Sequence, residues 1–245
     1  LMIATMPLGN KVLVTGADSG LGKYIASNVE CVALTRETSE HIFRKHQHFD
    51  VIIHCAFNAS KNTNNYYKIL EDNIFLTKRL CSLSHNKFVF LSSIDIYREE
   101  DNLYKTTKLM AESIVRELAT SPLVVRASAI IGPTMRKNSL LRILDDDKPT
   151  LSLSENSTFN YVLQSDILSM IQVSASNNYS GIMDFVASRN IRLKDVAKHF
   201  SKTVSFGDYL YETPVISNRC LQEKFPTSWY TSLGNIERFI KERNK

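Results

Sequence analysis

Val14-Thr15-Gly16-Ala17-Asp18-Ser19-Gly20-Leu21-Gly22 is the stretch on which the fold turns. The apolar run Lys11-Val12-Leu13-Val14-Thr15 leads into it, and Lys23 to Val29 follows with a helix-compatible pattern. A strand that breaks at a glycine-rich turn and restarts as a helix is how a dinucleotide-binding βαβ unit opens. In that reading Gly16 permits the tight turn, Gly20 lets the backbone approach a pyrophosphate, and Gly22 lets helix and strand pack closely. The pyrophosphate then rests on the amides and positive end of the helix. Gly16, Asp18, Ser19, Gly20, Leu21 and Gly22 are the expected cofactor contacts. A plain turn is the alternative.

Outward from the loop, Cys31 to Thr35, Asp50 to Ala56, Phe88 to Leu91 and Leu123 to Arg126 read as buried strands. Between them lie the helical stretches Glu37 to Gln47, Asn65 to Leu83 and Asn102 to Ala119. Parallel strands need crossover connections, so this alternation predicts a parallel sheet covered on both faces. After Gly132-Pro133 the elements shorten. Helices are expected at Ser139 to Leu144, Ser165 to Ser174, Leu193 to Phe200 and Leu233 to Arg243. Strands are expected at Phe159 to Val162, Ile182 to Val186 and Thr203 to Phe206. The expected fold class is α/β, a Rossmann-type doubly wound parallel sheet with a small C-terminal substrate lobe. Residues 10–132 form the dinucleotide-binding core. Residues 133–245 form the lobe, interleaved with the last part of the sheet.

The end of the second strand should carry the group that reads the adenosine ribose. An acidic residue there accepts bonds from a free 2′-hydroxyl, and an arginine suits a 2′-phosphate. This chain has Thr35-Arg36, with Glu37 only beyond them. NADP is therefore favoured and NAD is the alternative, with Arg36 as a solvated loop residue the competing reading.

Tyr104-Lys105-Thr106-Thr107-Lys108 sets a tyrosine and a lysine four apart on one helix face. Ser92-Ser93 ends the strand before it, at the carboxyl edge where such sheets bind ligands. A tyrosine near this lysine and a cationic nicotinamide should have a lowered pKa and exchange a proton with a substrate oxygen. Ser93 would hold that oxygen in line with the hydride.

The rest of the composition narrows the function classes. A net charge of +5 with no run of about five or more like charges gives no nucleic-acid groove. No apolar run is long enough for a bilayer, and Met2 to Pro7 lacks the features of a signal peptide. Cys31, Cys55, Cys81 and Cys220 make no ligand or redox spacing, which suits small fillers in a reducing, cytoplasmic compartment. His41, His46, His48, His54, His85 and His199 lack metal spacing, and Asp145-Asp146-Asp147 reads as a solvated turn. Phe225, Trp229 and Tyr230 are expected to pack the lobe. Arg136 and Lys137 either meet a substrate diphosphate or belong to a solvated loop.

These residues resemble the extended branch of the short-chain dehydrogenase/reductase superfamily, the nucleotide-sugar epimerases, dehydratases and reductases. The resemblance runs from about Lys11 to Phe200. It adds Cys55 and Ala56 as cofactor neighbours and Asn73 as the asparagine that organises a proton-relay water at the lysine. It implies Ser93, Tyr104 and Lys108 as catalytic groups, the last two also touching the cofactor, and a nucleotide sugar as substrate. It also implies a homodimer through the two long helices.

Departures from the family pattern sharpen this. The glycine spacing is that of the single-domain branch, with Ser19 where extended members carry glycine. The segment between Arg36 and Asp50 is short, so an intervening strand and an adenine-contacting acid are expected to be missing. Ile94 stands where sugar 4,6-dehydratases carry an acid, and Ala129 replaces an asparagine frequent in epimerases. Val125-Arg126-Ala127-Ser128 is closer to the dTDP-4-dehydrorhamnose reductase type. The expectation is a keto-sugar reductase, with a 4-epimerase or a non-catalytic nucleotide sensor as alternatives.

Overall fold

The computed structural model describes residues 8–9, 11–45, 47–60, 65–225 and 230–244. His46 and Trp229 lie outside the described residues. The first half of the chain gives β1 (Val12–Thr15), α1 (Gly20–Asn28), β2 (Val32–Leu34), α2 (Ser39–Arg44) and β3 (Phe49–His54). A helical rod follows, α3 (Tyr66–Leu70) and α4 (Leu76–Cys81) joined by a π-helical turn at Glu71–Phe75. Then come β4 (His85–Ser93), a 3₁₀ turn at Ile94–Tyr97, α5 (Leu103–Leu118) and β5 (Pro122–Ala127). The second half contains β6 (Ala129–Ile131), α6 (Ser139–Asp145), β7 (Thr158–Phe159), β8 (Tyr161–Leu163) and α7 (Gln164–Ser176). It ends with β9 (Gly181–Phe185), β10 (Ile191–Arg192), α8 (Leu193–His199), α9 (Arg219–Lys224) and α10 (Ser232–Arg243).

Six strands form one sheet in the order β2-β1-β3-β4-β5-β9, every pair parallel. The chain leaves β1 for β2 on one side and later crosses to β3 on the other, so the switch point lies between β1 and β3. The glycine turn and the end of β3 meet there, at the carboxyl edge where ligands bind. The short segment after Arg36 costs the sheet no neighbour. The six residues of α2 suffice to carry the chain from β2 across β1 to β3.

Strand alternation separates the core into two layers. Val12, Val14, Val51, Ile53, Val89, Leu123, Val125, Met183 and Phe185 pack with Leu21 and Ile25 of α1 and Ile167 and Ile171 of α7. Leu13, Ile52, Phe88, Phe90 and Val124 face the other way, toward Leu80 of α4 and Ala111 and Val115 of α5. The second layer changes character near its carboxyl edge. In phase with its apolar residues come Thr15, His54, Ser92, Arg126 and Asp184. The same face that is greasy at its base is polar at its rim.

A third cluster, with Leu140, Ile143, Tyr161, Leu193, Ile236 and Phe239, forms the core of the smaller lobe. The strand expected at Phe159 to Val162 is two short strands. Asn160 interrupts it because its side chain takes over the pairing: Oδ1 accepts from the Ala187 amide at 2.8 Å and Nδ2 donates to the Ala187 carbonyl at 3.0 Å. Thr203 to Phe206 is not a strand, since Ser205 makes only an isolated bridge to Thr150. Phe225 packs with the sheet cluster, where α9 meets β9, and edge-on to Tyr179 at 5.7 Å. Tyr230 is exposed, with Arg238 over its ring at 4.5 Å. Among the described residues no group of His, Cys, Asp or Glu could hold a metal, and no helix is long and apolar enough to cross a membrane.

Candidate active site

The glycine loop fits a dinucleotide on steric grounds. A Cβ at Gly16 would stand 2.9 Å from the Ala56 amide nitrogen, and one at Gly22 would stand 2.3 Å from the Gly16 carbonyl. Side chains at either position would push the turn away from β3 and from its own helix. At Gly20 the same test finds nothing within 4 Å, so a side chain there would project into open space, although its φ of +58° favours glycine. Leu21 is buried in the core while its amide lies in the first turn of α1, one of the donors a helix start leaves for a ligand. Asp18 is exposed at the tip of the turn. Thr35 and Arg36 lie just past β2, in a turn held by Thr38 Oγ1, which accepts from the Thr35 amide at 2.9 Å. Arg36 is exposed there.

The segment after β5 is stitched to this loop. The Gly20 amide donates to the Thr134 carbonyl at 3.1 Å, and Thr134 Oγ1 donates back to the Gly20 carbonyl at 2.7 Å. Arg136 Nη2 donates to Ser19 Oγ at 2.9 Å. Arg136 therefore stands against the cofactor loop and on the solvent side.

Helix α5 carries the proposed acid–base pair. Asn102 caps it, its side chain accepting from the Lys105 amide at 2.9 Å. Its buried stripe is Thr107, Lys108, Ala111, Glu112 and Val115, spaced as one face of a helix but with two charged members. Each buried charge has a partner, as burial demands. Lys108 Nζ donates to the Leu91 carbonyl at 2.7 Å and sits over the Phe57 ring at 3.6 Å. Burial pushes the Lys108 ammonium down to about 7, against the pull of Cys55 and Glu112. Glu112 accepts from Arg126 Nη2 at 2.6 Å and from Ser92 Oγ at 2.5 Å.

Tyr104 lies one turn before Lys108, whose Nζ is 5.9 Å from the centre of the Tyr104 ring. Its ring meets Phe57 edge-on at 5.5 Å. The expected lowering of its pKa is not what this geometry gives. Burial pushes Tyr104 up to about 12; the neighbouring Ser93 hydroxyl lowers it and Asp95 raises it further. Asn73 lies in the π-helical turn, a distortion common at functional sites. Its side chain pins the backbone of Asn58, accepting from the amide at 2.7 Å and donating to the carbonyl at 3.0 Å.

Beside Ser93 is a cavity of about 130 Å³, lined by Ser93, Ile94, Asp95, Ser128, Ala129, Tyr211 and Thr213. Tyr211 Oη donates to Asp95 Oδ1 at 2.7 Å, and its ring stacks on Phe159 at 4.8 Å. Buried Ser128 Oγ has no hydrogen-bond partner among the described residues. Asp95, Tyr211 and Thr213 escaped the sequence reading. Tyr211 and Thr213 lie in an irregular stretch joined to residues 157 and 158 only through long-range bonds, and no local pattern marks such residues.

Residues 9–145, more than half of the chain, match the profile of the NAD dependent epimerase/dehydratase family. No curated protein sequence matches the chain. Many solved structures share the fold. MoeE5 in complex with UDP-glucose and NAD is 15% identical, with 96% of this chain and 100% of that one covered and a TM-score of 0.75. The dTDP-4-dehydrorhamnose reductase of Bacillus anthracis, in complex with NADP, is 14% identical, with coverages of 95% and 99% and a TM-score of 0.76. A UDP-glucuronic acid 4-epimerase from Bacillus cereus, solved with NAD, is 16% identical, with coverages of 92% and 96% and a TM-score of 0.72. At these identities the likeness establishes the parallel-sheet architecture. With the profile match across the glycine loop, Ser93, Tyr104 and Lys108, it leads to one statement: the chain belongs to the NAD dependent epimerase/dehydratase family.

Proposed function

We propose that this chain is an NAD(P)-dependent oxidoreductase that reduces a keto group of a nucleotide-activated sugar. The observation that carries the reading is Tyr104 beside Ser93, which lines a polar cavity, with buried Lys108 one turn on. Residues 10–132 would bind the cofactor and 133–245 would complete the sugar site. The bound nicotinamide cofactor supplies the hydride. Gly16, Asp18, Ser19, Gly20, Leu21, Gly22, Cys55 and Ala56 would hold it. Arg36, exposed and placed after β2, would take the 2′-phosphate of NADP.

Ser93 donates a hydrogen bond to the substrate carbonyl oxygen and fixes its position. Tyr104 then gives its proton to that oxygen as charge develops, and its high pKa keeps it protonated until that moment. Lys108 holds positive charge beneath the tyrosine. Asn73 keeps the neighbouring wall in place through Asn58. The unpartnered Ser128 hydroxyl, Asp95 and Thr213 suit a polyhydroxylated ring. Arg136 would contact a diphosphate at the mouth of the site. Exposed Tyr67, Phe75 and Met110 on α3, the π-helical turn and α5 support pairing into a homodimer. The four free cysteines suit a cytoplasmic location.

The stitching of Thr134 and Arg136 across the glycine loop favours a second reading, a 4-epimerase that retains its cofactor. The deciding experiment combines cofactor titration with turnover of 4-keto nucleotide sugars. Exchangeable NADPH consumed in step with substrate supports the reductase. Tightly retained NAD and turnover without net cofactor loss supports the epimerase. Binding of neither cofactor defeats both and leaves a nucleotide sensor.

A further inference from the structure

His54 lies at the end of β3 and is wholly buried, yet no step above uses it. Its Nδ1 is 2.7 Å from Thr15 Oγ1 and its Nε2 is 2.9 Å from Thr77 Oγ1. The other bonds of those hydroxyls fix the direction of every proton. Thr77 donates to the Asn73 carbonyl at 2.6 Å, so it must accept from His54, and Nε2 carries the hydrogen. Nδ1 is then the acceptor, and Thr15 donates to it. The Thr15 oxygen in turn accepts from the Ala56 amide at 3.0 Å. One unbroken chain results: Ala56 amide to Thr15, Thr15 to His54, His54 to Thr77, Thr77 to the Asn73 carbonyl.

The chain joins three parts of the site that are far apart in sequence. Thr15 precedes Gly16, whose turn packs against the Ala56 amide. Asn73 grips Asn58 from both sides of its backbone. Phe57 thus hangs between two pinned neighbours, and its ring covers Lys108 and abuts Tyr104. Resting on the reading of this site as a cofactor site, we propose that His54 is a positioning residue. As a neutral imidazole with its hydrogen on Nε2, it locks the glycine turn, the Ala56-Phe57-Asn58 wall and the Asn73 turn into one register.

The groups that could disturb this are few. Lys108 is the charged group acting on His54, and Phe88 and Phe90 supply the aromatic faces packed on it from β4. Thr15 faces it from β1 and Thr77 from α4. Among the described residues no carboxylate acts on it to favour the imidazolium.

The test begins with long-range proton–nitrogen NMR of the whole protein. A single neutral tautomer protonated at Nε2, unchanged from about pH 5 to about pH 8, is the expected result. Protonation at Nδ1, or a titration in that range, overturns the proposal. The second part compares Thr77→Val with Leu83→Ala, a buried truncation at the opposite edge of the sheet. Thr77→Val should shift the amide resonances of both Ala56 and Asn58 and weaken NADPH binding about fivefold. Leu83→Ala should lower the melting temperature without either effect. Changes confined to residues 73–81 would show that no register is transmitted. If wild-type protein binds neither NADPH nor NADH, the proposed function fails, and the Ala56 and Asn58 shifts still decide the linkage.

Discussion

On the β1–β3 side of the carboxyl edge the buried polar groups are neutral, whereas on the β4–β5–β9 side they are ions. The first set is the Thr15–His54–Thr77 chain. The second is Glu112 with Arg126, flanked by Ser92, Tyr97 and Asp184. Both occupy rim positions of the same sheet face, and Lys108 stands between them. The difference follows from what each must hold. The neutral chain fastens backbone to backbone through groups that each donate once and accept once, so it needs no solvation of charge. The ionic set clamps α5, with its Tyr104 and Lys108, onto β5. A carboxylate with 4% side-chain exposure is stable there only because a guanidinium forks onto it. One cluster sets register, and the other anchors the helix that bears the proposed acid–base pair.

The largest expected effect lies on that helix. Tyr104→Phe should reduce turnover of a keto-sugar nucleotide by about a thousandfold, the middle of the range for removing a positioned proton donor. Cofactor affinity, measured by fluorescence titration, should stay within about a factor of two of wild type because both clusters remain intact. Near-normal turnover would remove Tyr104 from the mechanism.

Next in size is the ionic cluster. Glu112→Ala removes the carboxylate that forks onto half-buried Arg126 and should cost about 3–5 kcal/mol in denaturant unfolding. The paired replacement Glu112→Leu with Arg126→Met should recover most of that loss, since it removes both charges together. Thr77→Val, which strands one neutral group on each side, should cost only about 1–3 kcal/mol. Equal costs would erase the distinction between the two sides.

The neutral side has its own signature in acid. Burial, and then Lys108, hold the His54 pKa down to about 3. The unfolded chain takes up this proton near pH 6.5 and the folded chain does not. The contribution of His54 is therefore complete above that pH and is lost as pH falls toward 3, by about 1.4 kcal/mol per pH unit. His54→Phe should start lower at neutral pH and show a shallower acid slope by about that amount. Parallel slopes in unfolding between about pH 6.5 and pH 4.5 would contradict a buried neutral imidazole.

Much of this was legible in the order of residues, and the reason is locality. The glycine turn, the Tyr104–Lys108 spacing and the alternation of strand and helix are all relations within a few residues, and they mark the fold and the acid–base pair. His54 read as a bland core residue because its partners lie 39 positions before it and 23 after. Asp95 and Tyr211 meet across 116 residues. Arg136 reads either as a diphosphate contact or as part of a solvated loop, and its bond to Ser19, beside the pairing of Thr134 with Gly20, has no local sign in the sequence. What pattern reading misses here is the set of contacts that only tertiary closure creates.

A smaller expected effect tests the outer end of the neutral side, where exposed Arg36 is proposed to meet the cofactor. Arg36 is solvent-accessible and borders a turn held by Thr38, so it can turn toward a ribose phosphate without disturbing the core. An exposed charge pair is screened, which limits what it can contribute. Arg36→Gln should therefore weaken NADPH binding by about tenfold, or about 1.4 kcal/mol, and leave NADH binding unchanged. The loss should shrink as salt is raised, because it rests on one accessible ion pair. The His54 chain, being neutral and sealed, should keep the Thr77→Val effect constant across the same salt series. An Arg36→Gln penalty that ignores salt, or that falls equally on NADH, would mean that this arginine shapes the turn and does not read the phosphate.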